Sequence, residues 1–174
     1  MNIYLKELSI DDGIKELEYL RKVPKDENGF HNPAEPEDLV DEETFKNWLT
    51  QRVLESKGEN LKEGYVPQTI YWVMIEDEIV GSGKLRHYLN ERLLEHGGLI
   101  GLGILSDCRT KGVGTEALKL LLEKAKEKGV EDVLITNNED NYASRRIVEK
   151  CGGVLESIDD GLCKYWVKQK VKKL

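Results

Sequence analysis

The sequence is short of the residues from which covalent and metal frameworks are built. Of 174 residues only 3 are Cys, at positions 108, 151 and 163, and only 3 are His. The cysteines form neither a CxxC pair nor an even set, and no pair among these six residues has metal-ligand spacing. A disulfide scaffold is therefore not expected, and free thiols suit a reducing compartment. Long apolar runs are missing too. None approaches the ~20 residues that span a bilayer. The opening MNIYLKELSIDDG places acids where a secretory signal carries basic and then apolar residues. The expectation is a cytoplasmic protein that engages no membrane. Proline is scarce, at 4 residues, while hydrophobic residues make up 39% and charged residues 34%, which excludes collagenous, low-complexity and wholly disordered chains. What remains is one ordinary domain, expected over 1–174. A chain of this size buries about 70% of its unfolded surface and needs no staples.

Positive charge is lacking in one region. The first 50 residues carry 6 Lys+Arg against 13 Asp+Glu, which accounts for the whole net charge of -7. The acids are densest at Glu35, Glu37, Asp38, Asp41, Glu42 and Glu43. Such a patch repels nucleic acid and anionic lipid and favours a cationic acceptor. Acids also suit a helix N-terminus, and charge blocks usually face solvent, so a solvated helix start is the simpler account. The basic run KQKVKK at the C-terminal end is too short to read as a nucleic-acid stripe.

Residues 2–9 alternate as a strand, and Asp11 or Asp12 caps a helix through about Arg21. Pro24, Asn28, Gly29, Asn32, Pro33 and Pro36 mark a loop too long for a simple connection. A helix over 41–56 places Phe45, Trp48, Leu49 and Val53 at helical spacing. Strands follow at 69–75 and 78–88, then the segment NERLLEHGG and an apolar strand at 99–105. A helix over 112–128 stops at Gly129, a strand covers 133–136, and a helix covers 141–150 before Gly152 and Gly153. Strands at 154–158 and 164–171 close the chain. The order β-α-α-β-β-β-α-β-α-β-β predicts an α/β (mixed α+β) fold with helices on both faces of the sheet.

The richest segment is LGILSDCRTKGVGT, residues 102–115, where a buried strand passes through a short polar loop into a helix. Glycines there let backbone N–H groups approach an anion, and the helix N-terminus adds partial positive charge. Arg109 and Lys111 supply full charge for a phosphate or pyrophosphate. Two nucleotide motifs fail: no GxxxxGK[ST] is present, and Gly101 with Gly103 begins a GxGxxG that Ser106 breaks. What the segment does resemble is the Arg-x-x-Gly-x-Gly signature of the GNAT N-acetyltransferase superfamily, here Arg109-Thr110-Lys111-Gly112-Val113-Gly114. Downstream, NNEDNYASRRIVEKCGG resembles the second half of that family's core, with Asn141 and Ser144 at matching positions. IVGSGKLRHYLN before the glycine-rich strand resembles a bacterial subgroup of small acetyltransferases with unassigned acceptors.

The resemblance implies a GNAT-type fold with splayed fourth and fifth strands, here 99–105 and 133–136, and acetyl-CoA as co-substrate lying in the gap. It implies pantetheine pairing with the backbone of Ile104 and Leu105. The pyrophosphate is expected on the residues from Arg109 through Thr115, namely Arg109, Thr110, Lys111, Gly112, Val113, Gly114 and Thr115. The thioester is expected near Asn137, Asn141 and Ser144. The activity implied is acetyl transfer to a primary amine on a small molecule or a protein. A homodimer is a further expectation. The family's usual tyrosine acid falls at Val148, a departure that keeps open a second reading, a regulatory module that holds acyl-CoA without turnover. For a base, His87 titrates in the useful range and shares a strand face with Leu85 and Leu89. Arg86 is a candidate for a substrate carboxylate or for an ion pair with the acidic first third, and Trp72 for the acceptor pocket, although aromatics on such elements are core by default.

Overall fold

The computed structural model describes residues 2–28, 30–109 and 111–171. Its strands are β1 (Ile3–Glu7), β2 (Asp26–Glu27), β3 (Phe30–His31), β4 (Gln68–Ile75), β5 (Glu78–Arg86), β6 (Ile100–Ile104), β7 (Asp132–Asn138), β8 (Val154–Asp159) and β9 (Leu162–Lys168). The α-helices are α1 (Ile14–Lys22), α2 (Glu42–Ser56), α3 (Glu91–Glu95), α4 (Val113–Glu127) and α5 (Tyr142–Lys150). The expected order holds. Besides short 3-10 turns at Pro36–Leu39 and Ser106–Cys108, the long loop after α1 contains the β2–β3 hairpin, and NERLLEHGG contains α3, capped by Asn90 Oδ1 accepting from Leu93 N at 3.0 Å.

One sheet runs β1-β4-β5-β6 and the other β7-β9-β8, with every pairing antiparallel. β4 is apolar almost throughout because helices cover both faces of its sheet. On one face Ile70, Trp72 and Met74 pack with Leu17, Tyr19 and Leu20 of α1 and with Phe45, Trp48 and Leu49 of α2. On the other, Tyr71 and Leu85 pack with Leu118, Leu121 and Leu122 of α4. Alternation then assigns the rest of β5. Gly83 faces α4, where a Cβ would fall 2.8 Å from Leu121 Cδ1, while Ser82 faces α1 and meets Tyr19 Oη at 3.3 Å.

The two sheets touch at one corner. Leu99 N donates to Leu134 O at 2.8 Å, and Gly98, at φ +60°, would place a Cβ 2.5 Å from that same oxygen. Only glycine permits this approach. Beyond the corner β6 pairs with β5 and β7 pairs with β9, so the neighbouring parallel strands separate toward their C-terminal ends. The gap between Ile104 and Asn138 is the feature that positions the site.

Candidate functional site

The gap is lined on one side by backbone. Leu105 N donates to Val80 O and Arg86 N to Leu99 O, both at 2.8 Å, so the odd-numbered residues of β6 turn their polar groups toward β5. Leu102 and Ile104 therefore turn theirs into the gap. This corrects the expectation for Leu105, whose N–H is already used by the sheet. Ile104 remains on the open edge, although its carbonyl accepts from Arg109 Nε at 2.9 Å.

At the end of that edge the chain enters α4. Gly112 is the N-cap, with φ +78° and no side chain to cap with, so among the described residues the amides of Val113, Gly114 and Thr115 have no capping partner. The first intrahelical bond of this turn runs from Glu116 N to Gly112 O at 3.1 Å. A Cβ at Gly112 would meet nothing within 4 Å, so its approach is clear. A shallow hollow of about 480 Å³ opens beside it, lined by Lys111, Gly112, Thr115 and Lys150 among others. These amides, the helix dipole and two lysines, against the one carboxylate of Glu116 in the lining, suit an anion. Gly114 has a different reason to be glycine. Its Cβ would fall 2.7 Å from Ile147 Cδ1, so it lets α5 pack closely on α4. Thr110 lies outside the described residues.

The opposite wall comes from β7 and α5. Asn137 Nδ2 donates to Ser144 Oγ at 2.5 Å, while Asn137 Oδ1 is buried without a partner. Asn141 caps α5, its Oδ1 accepting from Ser144 N at 3.2 Å. The three expected residues thus form one cluster at the mouth of the gap. The β2–β3 hairpin bridges this mouth. Glu27 pairs with Arg109 on the β6 side, and Asn28 O accepts from Asn141 Nδ2 at 3.3 Å on the other. The Phe30 ring lies on Gly103, where a Cβ would be 2.5 Å from Phe30 Cε1. Glu27 and Phe30 were not singled out from sequence. The only signal was a loop of unexplained length.

The acid, base and acceptor candidates fare differently. His87 follows Leu85 on the α4 face, where its Nε2 lies 2.8 Å from Thr69 Oγ1. Burial, helped by the charge of Lys128, lowers its pKa. It sits five residues along the strand direction from Ser82, which is opposite Gly103, hence about 17 Å away and on the other face. The structure thus places His87 in a hydrogen bond to Thr69 and away from the gap where the thioester is expected. Trp72 is 0% exposed and its indole N–H donates to Asp12 Oδ2 at 2.8 Å, so it offers no surface to an acceptor. Arg86 Nη1 donates to the carbonyls of Gly97 and Gly98, at 3.1 and 3.0 Å, bracing the turn that starts β6. The ion pair with the acidic first third is made by Arg109 instead. Val148 is 2% exposed and faces the core, so its position supplies no acid.

Lys84 is the charged residue that sequence reasoning passed over. It lies on the same β5 face as Ser82, its Cα opposite Gly101. Burial, then Arg86 and Arg52, pushes its pKa down to about 8. The signal was present in IVGSGKLR, where Lys84 and then Arg86 interrupt an otherwise apolar strand.

No curated relative matches the sequence. Among solved structures, a ribosomal-protein alanine acetyltransferase from Vibrio fischeri aligns with a TM-score of 0.72 at 16% identity, over 99% of this chain and 97% of that one. The N-acetyltransferase PseH of Campylobacter jejuni, in complex with acetyl coenzyme A, aligns at 0.64 and 12% identity, over 97% and 100%. The putative acetyltransferase yncA of Salmonella typhimurium, with its cofactor acetyl-CoA, aligns at 0.61 and 14% identity, over 95% and 93%. At these identities the likeness is one of fold. The acetyltransferase (GNAT) domain family matches residues 5–154, from within β1 to the start of β8. With the splayed strands and the glycine-capped α4 terminus inside that span, the chain belongs to the GNAT acetyltransferase family.

Proposed function

We propose that the protein transfers an acetyl group from acetyl-CoA to a primary amine. The observation that carries this reading is the open backbone edge of β6 leading toward the glycine-capped N-terminus of α4. An extended amide-bearing chain with a pyrophosphate at one end matches that sequence of groups. The amides of Val113, Gly114 and Thr115, with Lys111 and Arg109, take the pyrophosphate. The backbone groups of Leu102 and Ile104 take the extended arm. The orphaned Asn137 Oδ1 is a buried acceptor awaiting a donor, as the arm's amides provide.

Bound there, acetyl-CoA supplies an activated acyl group, and the residues of the chain have three tasks. Leu102 N–H, directed into the gap, stabilises negative charge developing on the thioester oxygen. Ser144 accepts from Asn137 Nδ2, which leaves its hydroxyl proton to be offered toward the gap. The third task is proton traffic. As the N–C bond forms and the C–S bond breaks, an amine arriving as ammonium gives up two protons, one going to the departing sulfur and one to solvent. With Val148 in place of a tyrosine, the sulfur takes its proton from Ser144 or water.

Calorimetric titration with acetyl-CoA, followed by a free-thiol assay against an amine panel, tests this reading. Binding with amine-dependent thiol release supports it. Binding without release from any amine assigns the regulatory module instead, and no binding would mean that the 109–115 loop serves another purpose.

A further inference from the structure

The β5 face that looks toward α2 holds positive charge without a carboxylate in contact. The ammonium of Lys84 makes no hydrogen bond or ion pair with any described residue. The charges bearing on it are Arg86 on its own strand and Arg52 and Glu55 on α2. Glu55 is already engaged, accepting from Arg52 Nη2 at 2.8 Å and from Gln68 Nε2 at 3.1 Å. Three cations thus face one carboxylate, in a chain whose net charge is -7.

Two more donors in this region lack acceptors. Arg52 Nε and Trp48 Nε1 are shut off from solvent and have no partner among the described residues, and Trp48 is only 3% exposed. Arg52 Cζ stands 5.7 Å from the centre of the Trp48 ring, so the two belong to one cluster. Native folds seldom leave buried donors unpaired, and a set of them marks a missing acceptor of hydrogen bonds. The floor beside Lys84 is also bare. A Cβ on Gly101 would meet nothing within 4 Å, whereas Phe30 closes over Gly103 two residues on. Leu102, the next residue after Gly101, turns its N–H into the gap where the thioester is placed above.

We propose that this cluster of donors binds a carboxylate on the acetyl acceptor, so that the acceptor is a small primary amine that also carries a carboxylate. Lys84 holds the carboxylate, the donors of Arg52 and Trp48 complete its coordination, and the amine lies over Gly101 beside Leu102. Three donors suit the two oxygens of a carboxylate. A small acceptor follows from the geometry, because Gly101 lies directly across the ladder from Lys84, within reach of its four-carbon stem. The inference rests on the acetyl-transfer reading above.

The test uses wild type, Lys84→Met and Lys84→Arg. Calorimetry with acetyl-CoA comes first: absence of binding in wild type defeats the acetyl-transfer reading itself, and equal affinity in all three shows the coenzyme site intact. Thiol release is then measured with α- and ω-amino acids, each against its amide. Wild type is expected to favour the acid over the amide by about tenfold or more in kcat/KM, carried by KM. Lys84→Met erases the preference and Lys84→Arg keeps it. The wild-type KM for the acid rises above pH about 8, where Lys84 loses its proton, and that of Lys84→Arg does not. Amides accepted as well as acids, a preference that survives Lys84→Met, or no thiol release with any acid in the panel would each overturn the proposal.

Discussion

Gly112 and Gly114 stand two residues apart in one motif, yet the structure gives them different work, and paired alanine substitutions separate the two. At Gly112 the backbone is left-handed at φ +78° with open space in front of the missing Cβ. Alanine there costs about 1–2 kcal/mol of backbone strain. That corresponds to a Tm lower by roughly 2–8 °C in a chain of this length. Its methyl also projects into the anion site and keeps the phosphate from its amides. Losing one charged hydrogen bond is worth about 1.5–3 kcal/mol, so the Kd for acetyl-CoA rises about ten- to a hundredfold. At Gly114 the methyl instead meets Ile147 Cδ1, at 2.7 Å before relaxation. Overpacking of that kind costs about 1–3 kcal/mol. The amide of residue 114 is retained, so coenzyme affinity should stay within about threefold, roughly half a kcal/mol. Thermal unfolding and calorimetry on the same preparations give both numbers. A Gly114→Ala protein that loses more coenzyme affinity than Gly112→Ala would refute the assignment.

Two further outcomes follow from the same geometry. His87→Ala should leave the pH profile of kcat unchanged and lower stability by about 0.5–1.5 kcal/mol, the worth of its bond to Thr69. Because burial depresses the folded pKa of His87 below 6.5, the unfolded chain takes up the proton first as pH falls. Stability from this residue is therefore present above pH 6.5 and lost below it, so the Tm gap between wild type and variant should narrow in acid. A gap that widens in acid contradicts this. Glu27→Gln removes the carboxylate that competes with pyrophosphate for Arg109. Both partners are substantially exposed, so the pair is worth about 0.2–1 kcal/mol, and acetyl-CoA should bind about 1.4- to 5-fold tighter at low salt. Weaker binding would mean that the hairpin helps hold the coenzyme rather than occupying its groups.

That last prediction turns on the hairpin between α1 and α2. It ties Arg109 and Asn141, one from each wall of the gap, to Glu27 and Asn28. The acidic first third of the chain, which as a sequence is most simply a solvated helix start, sends one acid, Glu27, onto Arg109. Asp41, by contrast, is a plain helix cap, accepting from Thr44 N at 2.9 Å.

The local pattern of residues determined the strand–helix order, the glycine-rich turn into α4 and the asparagine, Asn141, that opens α5. These are short-range matters: a left-handed N-cap needs glycine, an asparagine at a cap bonds the amide three residues on, and apolar period tells helix from strand. Tertiary structure decided everything that depends on which neighbour covers which face. Alternation puts His87 and Arg86 on opposite faces of one strand, but nothing in the strand says which of them looks toward α4 and which toward α2. Only the packed sheet shows that His87 faces the C-terminal end of α4, that Trp72 is sealed beneath α1, and that Leu105 spends its amide on β5. The same holds for Lys84. Its charge is legible in the sequence, but its lack of a partner arises because α2, joined to that strand through β4 and the loop before it, brings Arg52 and Trp48 to the same place and only one carboxylate with them.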